Sequence, residues 1–382
     1  MEVLRLVRTL SGRLESVSAI PAPPARASAP YCRIAGCLAI AAALAGSPIA
    51  VASAQSPVAR WPIKVREHVD LWLHAFALVS RDSSDVPIFR NRYRDTMLAQ
   101  RASANIVTDL DANAEALRTT LANRPGLLAA QFLAQEFASW TALESVLEVV
   151  ARSDEPRRAL PQSPGPGIAR VATIFRTREE RDFLRRFLAG LRAEREQFHH
   201  EWWVAETRRR DPALARADSL WVNRYRPVLQ RFLNHTQQAD GEVILSTVLE
   251  AEGRTTSDTK QRNTIVVGFP VDAAHAEDAI FALMHELVGP LTGASVEDHV
   301  TPAEKRSGVA DRLQSAALVR GGAILAARVG ADAAAGYMRF YLRATGRSAG
   351  PDLAASFAAA FPVRDGMLES IDRQIAVAFS GI

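Results

Sequence analysis

His285 and Glu286 lie together in a run, Ala279–Ile280–Phe281–Ala282–Leu283–Met284–His285–Glu286–Leu287–Val288, in which every other side chain is apolar. An imidazole beside a carboxylate can hold a divalent cation and activate its water, or the two groups can neutralise each other. A helix that is apolar on all sides is a buried helix. An ionised carboxylate is not buried alone, so Glu286 must be paired, protonated or bound to something. His285 shares a face with Phe281 and Val288, and Glu286 lies beside Ala282 and Leu283.

Other residues could complete a site. Glu297–Asp298–His299 follows the helix and could fold back to bring His299 or Asp298 to His285. Glu304 and Asp311 are further carboxylates, but Glu304 forms a capping box with Thr301 and Asp311 suits a solvated helix face. Arg320–Gly321–Gly322 is a second anomaly, because glycines inside a helix cost about 1 kcal/mol each against alanine. They make sense where another backbone passes close, with the His285 helix as the expected neighbour. Arg320 would then neutralise Glu286 or Asp298. His199–His200–Glu201 is rich in ligating groups, yet consecutive helical residues point to different faces. His68, His74, His235 and His275 are isolated, and no serine-nucleophile elbow, phosphate loop or dinucleotide fingerprint occurs.

At His285–Glu286 the sequence resembles the zincin metallopeptidases, especially the gluzincin type. That family places a His-Glu-x-x-His helix just after a strand that lies along the substrate-binding cleft. Two histidines one turn apart face a zinc ion, and the glutamate activates its water. Here the strand Ile265–Phe269, the apolar helix and the His285–Glu286 pair come in that order, within roughly residues 242–344. The motif departs at Gly289, which stands where the second histidine belongs and is followed by Pro290. The stretch Ser315–Ala323, nearest in place to the helix that supplies the family's third ligand, carries no carboxylate. The resemblance implies Zn²⁺ on His285 with help from His299 or Asp298, Glu286 as general base, and a peptide or protein substrate. Its alternatives are a metal-free remnant of such a site and an ordinary buried polar pair.

The elements that must position these residues are mostly helical. Apolar residues recur at helical spacing from Val65 to Arg152, and Arg170–Arg209 reads as one long charged helix with a stripe at Leu184, Phe187, Leu191, Phe198 and Trp202. Asp211–Pro212 opens another helix towards Asn234. Further helices are expected at residues 273–288, 302–329, 331–344 and 363–378. Two β-rich segments, 242–249 and 264–269, flank a polar connection and predict an antiparallel hairpin. The expected fold class is mainly α with a small antiparallel β-hairpin or sheet (α+β), zincin-like in its C-terminal part. The expected divisions are a helical region over 55–153, a Pro/Gly-rich linker over 154–168 and a zincin-like domain over 169–382 with a hairpin at 242–269.

Residues 1–54 read as a secretory leader. No charged residue follows Arg33 until Arg60, the intervening run is alanine-rich, and Ala52–Ser53–Ala54 fits signal-peptidase cleavage before Gln55. An uncleaved anchor is the competing reading. Both cysteines, Cys32 and Cys37, fall within the leader, so the mature chain has no disulfide and no cysteine metal site. The formal charge of +4 falls to +1 once the leader's five basic and two acidic residues are removed. Such a balance argues against a nucleic-acid partner. The composition implies a periplasmic or secreted protein that leaves the membrane after leader cleavage. The chemistry implies a degenerate metallopeptidase-like domain, either a zinc-dependent hydrolase or a non-catalytic binding or structural envelope protein.

Overall fold

The computed structural model describes residues 61–81, 84–258 and 262–381, so the leader reading lies outside the described residues. The protein is mainly helical, with one four-stranded mixed sheet. Strands β1 (Ile63–Val65), β2 (Gly241–Ser246), β3 (Arg254–Ser257) and β4 (Asn263–Gly268) lie in the order β1-β2-β4-β3. β1 and β4 both run parallel to β2, with Val243 opposite Ile63 and Ile265. β3 runs antiparallel to β4, with Thr255 opposite Ile265.

The sheet corrects the expected hairpin. The segments at 242–249 and 264–269 are neighbours but parallel, and the polar connection between them contains β3, which forms the actual hairpin with β4. The clue was in the residues themselves. Val243–Ile244–Leu245 and Ile265–Val266–Val267 are apolar at consecutive positions, which suits parallel strands covered on both faces; one-sided antiparallel strands alternate. Both faces are in fact covered. Val243, Leu245, Ile265 and Val267 pack into a core with the C-terminal helices. Ile244 and Val266 pack into a second core with the N-terminal helices.

The N-terminal layer is built around the helix Glu67–Val79, buried at every position after Glu67. The segment 154–168, expected as a linker, holds a short helix at Pro156–Ala159 and the start of the helix Pro166–Ile174. Val171, Ile174 and Phe175 join the same core as Leu143, Leu147 and Val150, so the prolines interrupt one layer and do not divide two cores. The expected long helix 170–209 is likewise broken. Thr177 and Glu180 form a capping box that starts the helix Arg178–Glu194, and a π turn at Arg195–His199 leads into His200–Arg209. Leu184, Phe187 and Leu191 are buried as expected, whereas Phe198 and Trp202 are half-buried.

In the C-terminal layer, Glu277–Leu287 packs on β4 and on the helices Val309–Val329 and Ala331–Ala344. Thr301 and Glu304 form the expected capping box. The expected helix 302–329 breaks at Gly308, whose φ of +75° lies in the left-handed region that glycine tolerates. Leu353–Ala360 and Asp365–Ser380 complete the layer.

Candidate functional site

The helix Glu277–Leu287 follows β4 after a 3-10 turn at Ala273–His275 and packs back against both β4 and β3. His285 is fully buried. Its Nδ1 lies 3.2 Å from Glu286 Oε1, and its ring stacks on Tyr341 with centroids 5.5 Å apart. Tyr341 is itself anchored, donating its hydroxyl to the Ala251 carbonyl at 3.1 Å. His285 Nε2 is buried and has no hydrogen-bond partner among the described residues. Glu286 accepts a second hydrogen bond, 3.2 Å long, from the Thr255 hydroxyl on β3. The backbone at Gly253 closes over the carboxylate, since a Cβ there would lie 2.5 Å from the Val266 carbonyl and 3.0 Å from Glu286 Cγ. Only glycine fits that crossing.

Burial pushes the Glu286 carboxyl up, but the hydrogen bond and charge of His285, the nearby Arg254 and the Thr255 hydroxyl outweigh it. The group is left below its ordinary range. Glu286 is therefore an ionised carboxylate held by an imidazole and an edge strand.

The other expected participants lie elsewhere. A second helix, Gly289–His299, follows after a 46° bend and runs onward instead of turning back. At 1.5 Å per residue its eleven residues carry His299 about 15 Å from the bend. There His299 Nδ1 meets the Ser295 carbonyl at 2.7 Å, and Asp298 is exposed. Arg320 pairs with neither acid: it donates to the Phe361 carbonyl at 3.4 Å and lies over the Phe357 ring. Gly321 and Gly322 are required by side chains, not by a passing backbone. A Cβ at Gly322 would lie 2.0 Å from the Tyr337 hydroxyl, and one at Gly321 2.7 Å from Thr292 Cγ2.

Zinc does not fit this donor set. A catalytic zinc needs three protein ligands around an open position. Among the described residues no three His, Cys, Asp or Glu side chains are placed to hold a metal ion. A Cβ at Gly289, the position of the second histidine in the resembled motif, would have Leu318 Cδ2 as its nearest neighbour, 3.9 Å away. Gly289 thus faces Leu318, a residue of the stretch that carries no carboxylate.

The remaining histidines show what spacing conceals. His74, isolated in sequence, has Tyr93 on Nδ1 and Glu194 on Nε2, each at 2.9 Å. His199 is fully buried in the π turn, with neither nitrogen hydrogen-bonded among the described residues. His200 instead faces outward and pairs with Glu67 at 3.0 Å. Thr255, Gly253 and Tyr341 were missed in the sequence reading. The spacing of Tyr337 and Tyr341 by one helical turn was the available signal for the last. No family model, curated protein or solved structure matches the chain.

Proposed function

We propose that this is an exported, non-catalytic binding protein on a gluzincin-like frame, which holds an extended polypeptide along the open edge of β3. The observation that supports it is the pairing of Glu286 with both His285 and the edge-strand Thr255, where a peptidase would need further metal ligands. Among the described residues β3 pairs on one side only, and that edge offers backbone donors and acceptors to a strand of another chain. The order of elements supports the frame in part: a strand, β4, precedes the buried helix carrying His–Glu, but β4 is an inner strand and the open edge expected along a cleft belongs to β3. The rival reading is a zinc-dependent hydrolase with Glu286 as general base.

The test is to purify the mature protein without chelator, measure bound zinc, and follow both binding and cleavage of fluorescent casein-derived peptides. Expected are peptide binding without hydrolysis and substoichiometric zinc that His285→Ala leaves unchanged. Stoichiometric zinc lost in His285→Ala, together with hydrolysis, would establish the enzyme instead. Absence of both binding and cleavage would leave a structural envelope protein. Export is tested separately, by N-terminal sequencing of the protein from the envelope or medium, which should begin at or near Gln55.

A further inference from the structure

The sheet face covered by the N-terminal helices changes character at one end. Ile244 and Val266 pair across β2 and β4 and lie in the apolar core. The next row on that face is Glu242, Thr264 and Thr256, in register across β2, β4 and β3. There the helical layer stands off, leaving a cavity of about 230 Å³ whose opposite wall includes Gln135, Glu136 and Gly167. It lies on the far side of the sheet from His285 and does not rest on the metallopeptidase-like reading.

Three features of its lining are unbalanced. Gln135 is 2% exposed, yet neither its amide nitrogen nor its amide oxygen has a hydrogen-bond partner among the described residues. Burying such a group unpaired is costly, and Gln135 stands in the cavity wall with that capacity unspent. On the sheet wall, Arg66 and Arg262 line the cavity and, with Lys64, converge on the carboxylate of Glu242, while the Asp258 carboxylate beside them accepts from the Arg262 backbone N–H at 2.9 Å. Arg66 is occupied at 2.6 Å and also donates to the Phe137 carbonyl on the facing wall, whereas half-exposed Arg262 is only loosely engaged at 3.9 Å. On the helical wall, Glu136 has Arg170 as its one ion-pair partner among the described residues, at 2.9 Å, and burial raises its pKa against that partner.

We propose that this cavity binds a small zwitterion of amino-acid size, its carboxylate on Arg262, its ammonium on Glu136 and a polar group on the Gln135 amide. A simple anion would face Glu136 and Asp258, and a simple cation would face Arg66 and Arg262. A dipolar molecule satisfies both walls. The volume falls below the ~300–1,000 Å³ of sites for drug-sized ligands, which limits the occupant to a free amino acid or a very short peptide.

The experiment is a thermal-shift screen of the purified protein with the twenty L-amino acids and glycylglycine, followed by calorimetric titration of any hit. N-acetylated and C-amidated forms of the hits serve as single-charge controls. Expected is a shift from one or more zwitterions that is absent with either blocked form. Glu136→Gln and Arg262→Ala should each weaken binding at least about tenfold, the scale of one charge-assisted hydrogen bond. Gln135→Leu should weaken binding while leaving the circular dichroism spectrum unchanged, which keeps the test decisive if a charge variant fails to fold. No shift from any zwitterion overturns the proposal and leaves a hydrated cavity. So does a shift that the blocked forms reproduce, or one that the folded variants retain.

Discussion

Among the described residues the protein buries two histidine–glutamate pairs, and they are built differently. His74 and Glu194 come from helices far apart in sequence and are enclosed by a network. His74 also contacts Tyr93, while Glu194 takes hydrogen bonds from Arg101 and Thr108, and Arg101 continues to Asp111. Both nitrogens of His74 are satisfied, and every contact ties one N-terminal helix to another. His285 and Glu286 are adjacent in sequence, have one strand hydroxyl as outside hydrogen-bond partner, and leave His285 Nε2 without a partner among the described residues. A pair that serves only the fold spends its whole hydrogen-bonding capacity on the fold. A pair left open beside an edge strand keeps capacity for something else.

The sharpest test of this contrast is truncation of the two acids. Glu194→Ala strands a buried guanidinium and a buried imidazole, and breaking a buried pair typically costs about 3–5 kcal/mol. Glu286→Ala removes the partner of one imidazole and one hydroxyl, for an expected loss of about 1–3 kcal/mol. Urea denaturation measures both, and equal losses would dissolve the distinction.

Acid should strike the N-terminal layer first. Burial, then the neighbouring His74, Arg195 and His200, holds the His199 imidazole well below its ordinary pKa; the remaining ring neighbour is the uncharged Trp202. Burial likewise lowers His68 against its hydrogen bond to Phe137. Both groups stay neutral in the folded protein while the unfolded chain takes up protons from about pH 6.5 downwards. Their contribution is therefore complete above that pH and is lost as pH falls towards the folded values. Glu194 and Glu286, held below their ordinary range, act only below about pH 4.5. Asp70, Glu136 and Asp278, raised by burial, act in the opposite sense to the histidines, so between about pH 6.5 and 5 the histidine share is read from the difference between variant and parent. His199→Phe should flatten stability against pH there by up to about 1.4 kcal/mol per pH unit. An unchanged slope would show that His199 finds a proton acceptor when charged.

The smallest effect concerns the edge strand. Thr255→Val keeps the shape and removes one hydrogen bond from Glu286, an expected loss of about 0.5–1.5 kcal/mol. If peptide binding weakens by more than that stability change explains, Glu286 is held in position for the ligand rather than for the fold.

Local signals were legible in the sequence. The Thr301–Glu304 box, the helix Ala331–Ala344 and the burial of the His285 helix depend on residues within a turn or two of one another, and all three stand. The sense of the strands was misread because the consecutive apolar residues of β2 and β4 were weighed for β-propensity and not for coverage on both faces. The expected return of His299 assumed that Gly289–Pro290 would turn the chain. Proline is tolerated in a first helical turn, so a new helix starts there at an angle. Arg320 was assigned to an acid on charge alone, whereas carbonyl and aromatic partners from residues 357–361 were closer. Tyr341 on His285 and Glu194 on His74 are contacts across 56 and 120 residues, which no spacing rule reaches.

The parallel pairing of β1 with β2 has a consequence for the order in which the protein can be made. Ile63 must wait for Val243, about 180 residues behind it on the nascent chain. At ordinary synthesis rates that gap lasts roughly ten to thirty seconds. Throughout it, the apolar helix that follows β1 has no sheet to lie on, and Asp70 lacks Thr247, its partner beyond the end of β2. The N-terminal helices can collapse on one another in that time, but the layer that defines the fold closes only once Val243 and its neighbours have been made. Until then β1 is a strand without a sheet, and its apolar residues have only the N-terminal helices for cover.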